Sequence, residues 1–385
     1  MNYDLLSPIS DRLVEDVKLS HFQTFGRNLK LHTSEIIPDL DKIDIAIIGV
    51  LDCRNSEYDL GNESNINEIR RSLYALFPGN WTSNIADLGD IIIGQRVRDT
   101  YFAVSEIVSD LLKNNIIPLI IGGSQDITYA AYRAYDNVKP MVNIINIDKS
   151  FDLGDSSKPI SNNNYVGKII LEKPYNLFNY TVMGFQTYFN SQQEIDLMEK
   201  LYFEYFRLGD LNNDIKFVEP SMRDADLVTI DLSSVKSSEV SIEQKFSPNG
   251  FNGREICAIS RYAGISNKVS SFGIYEYKSS IEDDATTMLI SQMIWYFIEG
   301  FNCRVKDDNF ENPDEFNKYI VLVEEQELVF YKSLKTGRWW VETLFLSKPH
   351  TKKTKHTLLA CMQSDYDKAI GGNIPERWYK AYKKN

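Results

Sequence analysis

Asp148-Lys-Ser-Phe-Asp152 sets two carboxylates four residues apart, directly after Met141–Ile147, a short apolar run with the character of a buried strand. In open parallel sheets the carboxyl ends of the strands are where ligands bind. Clustered carboxylates at such an end suit a hard cation such as Mg²⁺ or Ca²⁺. The plainer reading is a turn whose aspartates cap the next helix. Two further stretches have the same form. Ile116-Ile-Pro-Leu-Ile-Ile-Gly-Gly-Ser-Gln-Asp126 and Ala225-Asp-Leu-Val-Thr-Ile-Asp-Leu-Ser-Ser234 are apolar strands that end in polar clusters.

In order and spacing these three stretches resemble the arginase and formimidoylglutamase family, the ureohydrolases. That family sets Gly-Gly-Asp-His, Asp-Ala-His-x-Asp and Asp-x-Asp at three strand ends, where they hold two manganese ions. The resemblance puts the first histidine ligand on Gln125 and the second on Ser150. It puts the bridging aspartates on Asp148 and Asp231, a further carboxylate on Asp152, and the last aspartate on Ser233. Three of the six ligand positions keep their aspartate, and both histidines are replaced. The likeness extends over about residues 40–300. Ile43–Val50 resembles the family's first strand, Asp87-Leu-Gly-Asp90 its short acidic turn, and Gly250–Glu255 its glycine-rich loop. Ser271–Tyr277 resembles its last strand, and the glutamate there that holds a substrate guanidinium falls on Glu276.

The family's reaction hydrolyses an amidino or formimino C–N bond with a metal-activated water. A serine hydroxyl is a poor ligand for a divalent transition metal, so no binuclear manganese centre is expected, and at most one divalent cation on Asp148, Asp152 and Asp231. Without metal, clustered carboxylates repel and at least one pKa must rise. Lys149 is expected on the opposite face from Asp148 and Ser150, if the strand continues through it.

The elements that must position these residues follow the alternation of strand and helix. Strands are read at 43–50, 116–121, 141–147, 180–185, 227–232 and 271–277. Helices are read at 66–77, 100–114, 126–135, 191–208, 255–263 and 285–301. This alternation predicts an α/β fold of three layers, with a mostly parallel sheet of about eight strands. Residues 1–304 are expected to form this domain, with an arm over 1–40, and 305–385 a small extension containing a β-meander. From Tyr331 to Asn385 there are twelve Lys or Arg against four Asp or Glu, a local surplus of +8 in a chain whose formal net charge is −12. Trp339, Trp340 and Phe345 are expected to pack inward. Lys352, Lys353, Lys355 and Arg377 are then candidates to face a protein partner.

The acidic balance argues against nucleic acid. No apolar run is long enough for a membrane-spanning segment, no signal peptide is apparent, and the four cysteines form no close pair; these point to a cytoplasmic chain. Cys257 has no histidine nearby in sequence to activate it. The leading expectation is a catalytically silent arginase-fold protein that binds a partner or supports a complex. Its rivals are an amidino or formimino hydrolase with an unusual metal site, and a small-molecule sensor that uses the old guanidinium pocket.

Overall fold

The computed structural model describes residues 1–57, 66–240, 247–277, 284–307, 309–346 and 354–384. Among them, ten strands form one sheet: β1 (Leu6–Ser7), β2 (Lys30–Leu31), β3 (Ile45–Val50), β4 (Ile85–Ile91), β5 (Ile117–Gly122), β6 (Val142–Ile147), β7 (Leu177–Phe185), β8 (Glu204–Arg207), β9 (Leu227–Asp231) and β10 (Ser271–Tyr275). The order is β1-β4-β3-β5-β10-β9-β6-β7-β8, with β2 also beside β4. Every pairing is parallel except β1 with β4. The eight strands β3 to β10 are the expected number for this region. The arm adds two strands of two residues each.

Buried strands here are apolar on both faces. Ile45 and Ile47 join one core cluster, and Ala46, Ile48 and Val50 join the other. This is what a pleat of period two demands when helices cover both sides of a sheet. The helices 67–75, 253–265 and 284–302 pack on one face, and 97–113, 127–133 and 165–171 on the other.

Three expectations need correction. The acidic stretch Asp87–Asp90 is part of strand β4 rather than a turn. Its acids can be buried because Arg70 donates to Asp87 at 2.9 and 3.1 Å and pairs with Asp90 at 2.8 Å, while the Tyr74 hydroxyl donates to Asp87 at 2.7 Å. The helix read over 191–208 stops at Lys200. Tyr202 takes φ 53°, and the aromatic run that follows pairs with β7 as strand β8; aromatic residues favour strands.

The third correction is Arg377, in the extension, whose β-meander is as expected. The extension forms a second, antiparallel sheet of β11 (Phe316–Val323), β12 (Gln326–Ser333), β13 (Trp339–Leu346) and β14 (Thr354–Cys361), followed by helices Gln363–Ile370 and Glu376–Lys383. Trp339 stacks on Tyr319 and Tyr366, and Trp340 meets Phe310 and Phe316, so both indoles are inside. Arg223 of the main domain reaches into this sheet. It donates to the carbonyls of Trp339 (2.9 Å) and Cys361 (2.8 Å), and its guanidinium lies 4.6 Å from the Trp340 ring. Arg377 does not face outward: its guanidinium sits near Glu204 (3.7 Å) and Asp224 (3.9 Å). Lys352 and Lys353, and the side chains of Lys355 and Phe345, lie outside the described residues.

Arg70→Met should leave Asp87 and Asp90 buried without their cation. Removing one partner of a buried pair costs about 3–5 kcal/mol. Urea unfolding monitored by circular dichroism should show a loss of that order; a loss below about 1 kcal/mol would contradict the pairing as the reason β4 can be acidic.

Candidate functional site

Register brings the singled-out residues to one end of the sheet. Tyr275 of β10 pairs with Asp231 of β9, and Ile147 of β6 pairs with Ile230. Asp148 therefore begins the turn beside Asp231, and Glu276 follows on its other side. The Glu276 amide donates to the carbonyl of Gly123 just past β5, at 2.6 Å. Gly123 must be glycine, because a Cβ there would lie 2.6 Å from both the Asp52 carbonyl and Cys53 Sγ. Asp152 (φ 52°) and Glu276 (φ 60°) both adopt the left-handed conformation. Non-glycine residues held there carry strain, which tends to concentrate at functional sites.

Ser150 joins the first two carboxylates. Its hydroxyl lies 2.8 Å from Asp152 Oδ1 and 3.3 Å from Asp148 Oδ1, and its amide donates to Asp148 Oδ1 at 3.0 Å. One hydroxyl carries one proton, so it cannot donate fully to two carboxylates at once. Burial raises the Asp148 carboxyl. It raises Asp152 well above the usual range, with the charges of Asp148 and Asp231 adding to the effect. Asp231 is raised well above that range by burial, then by Asp148 and Glu276, although the Ser233 amide donates to it at 2.6 Å.

Glu276 is fully buried. It accepts from the Gln125 amide (2.7 Å), Ser56 Oγ (2.7 Å) and Asn162 Nδ2 (3.2 Å). Burial still pushes its carboxyl up to about 7, with the charge of Asp126 contributing. Asp126 accepts from the Tyr101 hydroxyl and from Asn55 Nδ2 at 3.2 Å.

Gln125 takes no direct part in the aspartate cluster. Its amide nitrogen is 3.0 Å from Asn146 Oδ1 and 3.2 Å from the Tyr165 hydroxyl, while its amide oxygen is buried without a hydrogen-bond partner. Asn146 passes the connection on, with Nδ2 lying 3.1 Å from Asp148 Oδ2 and 3.3 Å from Asp152 Oδ2. Ser233 Oγ is likewise buried and unpartnered.

Lys149 departs from expectation. The strand ends at Ile147, so strict alternation no longer applies. The Lys149 side chain is buried with Nζ 5.0 Å from the Phe189 ring, and its charge favours the ionised forms of Asp148 and Asp231. It lines a cleft of about 720 Å³ together with Ser150, Asp152, Asn163 and Tyr188. Sequence reasoning passed over Lys149's role, Asn146, Asn162, Ser56 and the buried hydroxyls of Tyr165 and Tyr180. Asn146 carried a readable signal, being a polar residue inside an otherwise apolar strand.

The donor set fits two manganese ions poorly. The imidazole positions hold an amide turned toward Asn146 and a hydroxyl already spent on the aspartates, and the last carboxylate position holds Ser233. Among the described residues, no group of three His, Cys, Asp or Glu side chains is arranged to hold an ion.

The fold and the acidic crevice define a three-layer α/β protein with its candidate site at the carboxyl ends of β5, β6, β9 and β10. The sequence profile of the Arginase family matches residues 43–299, two thirds of the chain, and the chain belongs to that family. It is similar to formimidoylglutamase from Staphylococcus aureus (strain MSSA476), at 22% identity over 302 residues, covering 75% of this chain and 96% of that protein. Its fold is shared with Trypanosoma cruzi formiminoglutamase solved with Mn²⁺, at TM-score 0.60 and 17% identity, covering 70% of this chain and 97% of that one. The agmatine ureohydrolase of Thermoplasma volcanium aligns at TM-score 0.55 and 18% identity, covering 74% and 97%.

Between about pH 4.5 and 7 the folded chain keeps a proton on Glu276 that the unfolded chain has released. Stability should therefore fall as pH rises through that window, by about 3 kcal/mol from this group. Glu276→Gln keeps an acceptor and removes the titration, so chemical denaturation at the two ends of the window should show a drop smaller by that amount. An unchanged drop would mean that Glu276 titrates normally.

Proposed function

We propose that this chain is a formimidoylglutamase-like protein whose acidic crevice takes a small cationic amidino or formimino compound. One observation carries the reading. Asp148, Asp152, Asp231 and Glu276 meet at adjoining strand ends, all buried and all held above the ordinary carboxylate range. Such a cluster favours an incoming positive charge, and a cation within about 4–6 Å restores the ionised forms. A planar amidinium presents several N–H donors in one plane, a geometry that matches carboxylate oxygens. The similar proteins are named for formimidoylglutamate and agmatine, compounds of this class.

Kinship supports hydrolysis of a C–N bond in a linear amidine as the outcome of binding. What the chain's own residues supply is binding and orientation. On this reading Asp231 and Glu276 flank the cationic end, Lys149 limits the negative charge, and the rest of the molecule lies in the 720 Å³ cleft that opens at Ser150 and Asp152. The donors at the aspartate cluster do not fit a pair of manganese ions. A second reading, binding without turnover, is favoured by a specific feature: Ser150 ties Asp148 to Asp152, the carboxylates that the family's scheme assigns to metal.

Titration calorimetry with agmatine, arginine, guanidinobutyrate and formiminoglutamate should give saturable binding to at least one. Asp231→Asn should weaken it by roughly 10–100-fold, the worth of one charge-assisted hydrogen bond. Release of urea from the guanidino compounds, or of formamide and glutamate from formiminoglutamate, with added Mn²⁺ then separates the readings. Turnover that Asp148→Ala abolishes establishes the hydrolase, and binding without turnover establishes the silent form. No binding to any of the four compounds sinks the proposal. The triple variant Gln125→His, Ser150→His and Ser233→Asp should raise Mn²⁺ affinity at least tenfold, because the two bridging aspartates are already in place.

A further inference from the structure

At the opposite end of the sheet, a partly open cavity of about 200 Å³ lies between the amino-terminal ends of β6, β7 and β9 and the extension. Three acids line it, and the fold already engages each of them. Asp226 receives Lys139 and the Asn143 amide at 2.8 Å. Asp224 receives Lys268 at 2.7 Å and the Ala360 amide at 3.1 Å. Glu204 accepts from Thr181 Oγ1 at 3.2 Å and Asn179 Nδ2 at 3.3 Å.

The remaining polar groups are not so engaged. Ser221 Oγ, Arg377 Nε and Asn143 Oδ1 are buried atoms without a hydrogen-bond partner, and all three residues line this cavity. Ser221 is only 3% exposed. The nearest carboxylate to Arg377 Nε is Glu204 at 3.7 Å, beyond hydrogen-bond reach. Lys384 Nζ reaches Asn179 Oδ1 and lies over the rings of Phe203 (5.3 Å) and Phe178 (5.8 Å). It has no ion pair among the described residues. Lys380 lines the same wall and, among the described residues, has its ion pair with Glu376, a largely exposed residue.

Unpartnered buried polar atoms mark a place where something is bound or where stability is given up. Here Arg377 Nε and Ser221 Oγ have no hydrogen-bond partner, and the ammonium groups of Lys380 and Lys384 carry more donors than their partners take, a set that suits several oxygens of one anion. The unspent acceptor is Asn143, which needs a ligand that also carries a proton. The volume admits a few water-sized groups and excludes a nucleotide.

We propose that this junction between the main domain and the extension is a binding site for inorganic phosphate, with Arg377, Lys384 and Ser221 donating to its oxygens and Asn143 accepting its hydroxyl proton. Near neutral pH phosphate keeps a hydroxyl, whereas sulfate has the same shape and none. Burial lowers the Lys384 ammonium to about 8, and an anion beside it would move it back up. The site is independent of the crevice and of the reading given for it.

The test is calorimetric titration of the full chain with inorganic phosphate at pH 7 in a phosphate-free buffer of fixed ionic strength. Saturable one-site binding is expected, with sulfate at least tenfold weaker. Lys384→Gln and Ser221→Ala should each weaken phosphate binding about tenfold or more, with circular dichroism and the unliganded melting temperature reporting that each variant folds. Absence of saturable phosphate binding overturns the proposal. Binding unaffected by both variants places phosphate elsewhere and overturns the site, and sulfate binding as tight as phosphate overturns the role given to Asn143.

Discussion

The burial of four carboxylates at neighbouring strand ends is the constraint to which the rest of the crevice answers. Desolvation disfavours the charged form of each, and mutual repulsion adds to it. The protein meets this demand with hydrogen bonds and one lysine rather than with equal countercharge. Ser150, the amides of Ser150 and Ser233, Asn146 and Asn162 donate to the cluster, and Lys149 lies near enough to favour ionisation of Asp148 and Asp231. The outcome is a site kept short of positive charge. Elsewhere several buried acids do have a cation in contact. Arg70 takes both Asp87 and Asp90, and Lys139 takes Asp226.

Positioning follows from the sheet. Parallel strands must end at matching heights for their turns to meet, and the register of β6, β9 and β10 brings Asp148, Asp231 and Glu276 side by side. The left-handed backbone at Asp152 and Glu276 then turns these two residues back toward the crevice at some local cost. Packing on both faces of the sheet holds that cost in place, since the strands beneath are buried throughout.

Much of this was legible in the sequence because apolar runs with polar ends announce buried strands. The central strands and the identity of the clustered acids could be read that way. Strand β4 could not, because Asp87 and Asp90 look like turn residues until Arg70, seventeen residues earlier than Asp87, is known to face them. Strand β8 was hidden in a run whose Glu, Leu and Tyr also suit a helix. The last strand and the final helices of the extension were obscured by a basic composition that suggested a solvated surface. Arg377 shows why composition misled: its guanidinium is turned inward toward the main domain's acids Glu204 and Asp224, at 3.7 and 3.9 Å, and not out to solvent. The reading of Lys149 depended on the strand continuing through it, and β6 ends two residues earlier, at Ile147.

The aspartates of the crevice are also held together by this chain's own residues. Buried side by side, Asp148, Asp152 and Asp231 repel one another when ionised. Here Ser150 stands between the two nearest carboxyls, and the Ser233 amide caps the third. Ser150 and the Ser233 amide thus relieve some of that repulsion. The relief is incomplete, since burial and repulsion still hold Asp152 and Asp231 well above the ordinary range. That residual demand for positive charge, placed at the carboxyl ends of a parallel sheet beside an open cleft, is the physical ground for expecting a cationic ligand rather than an inert relic.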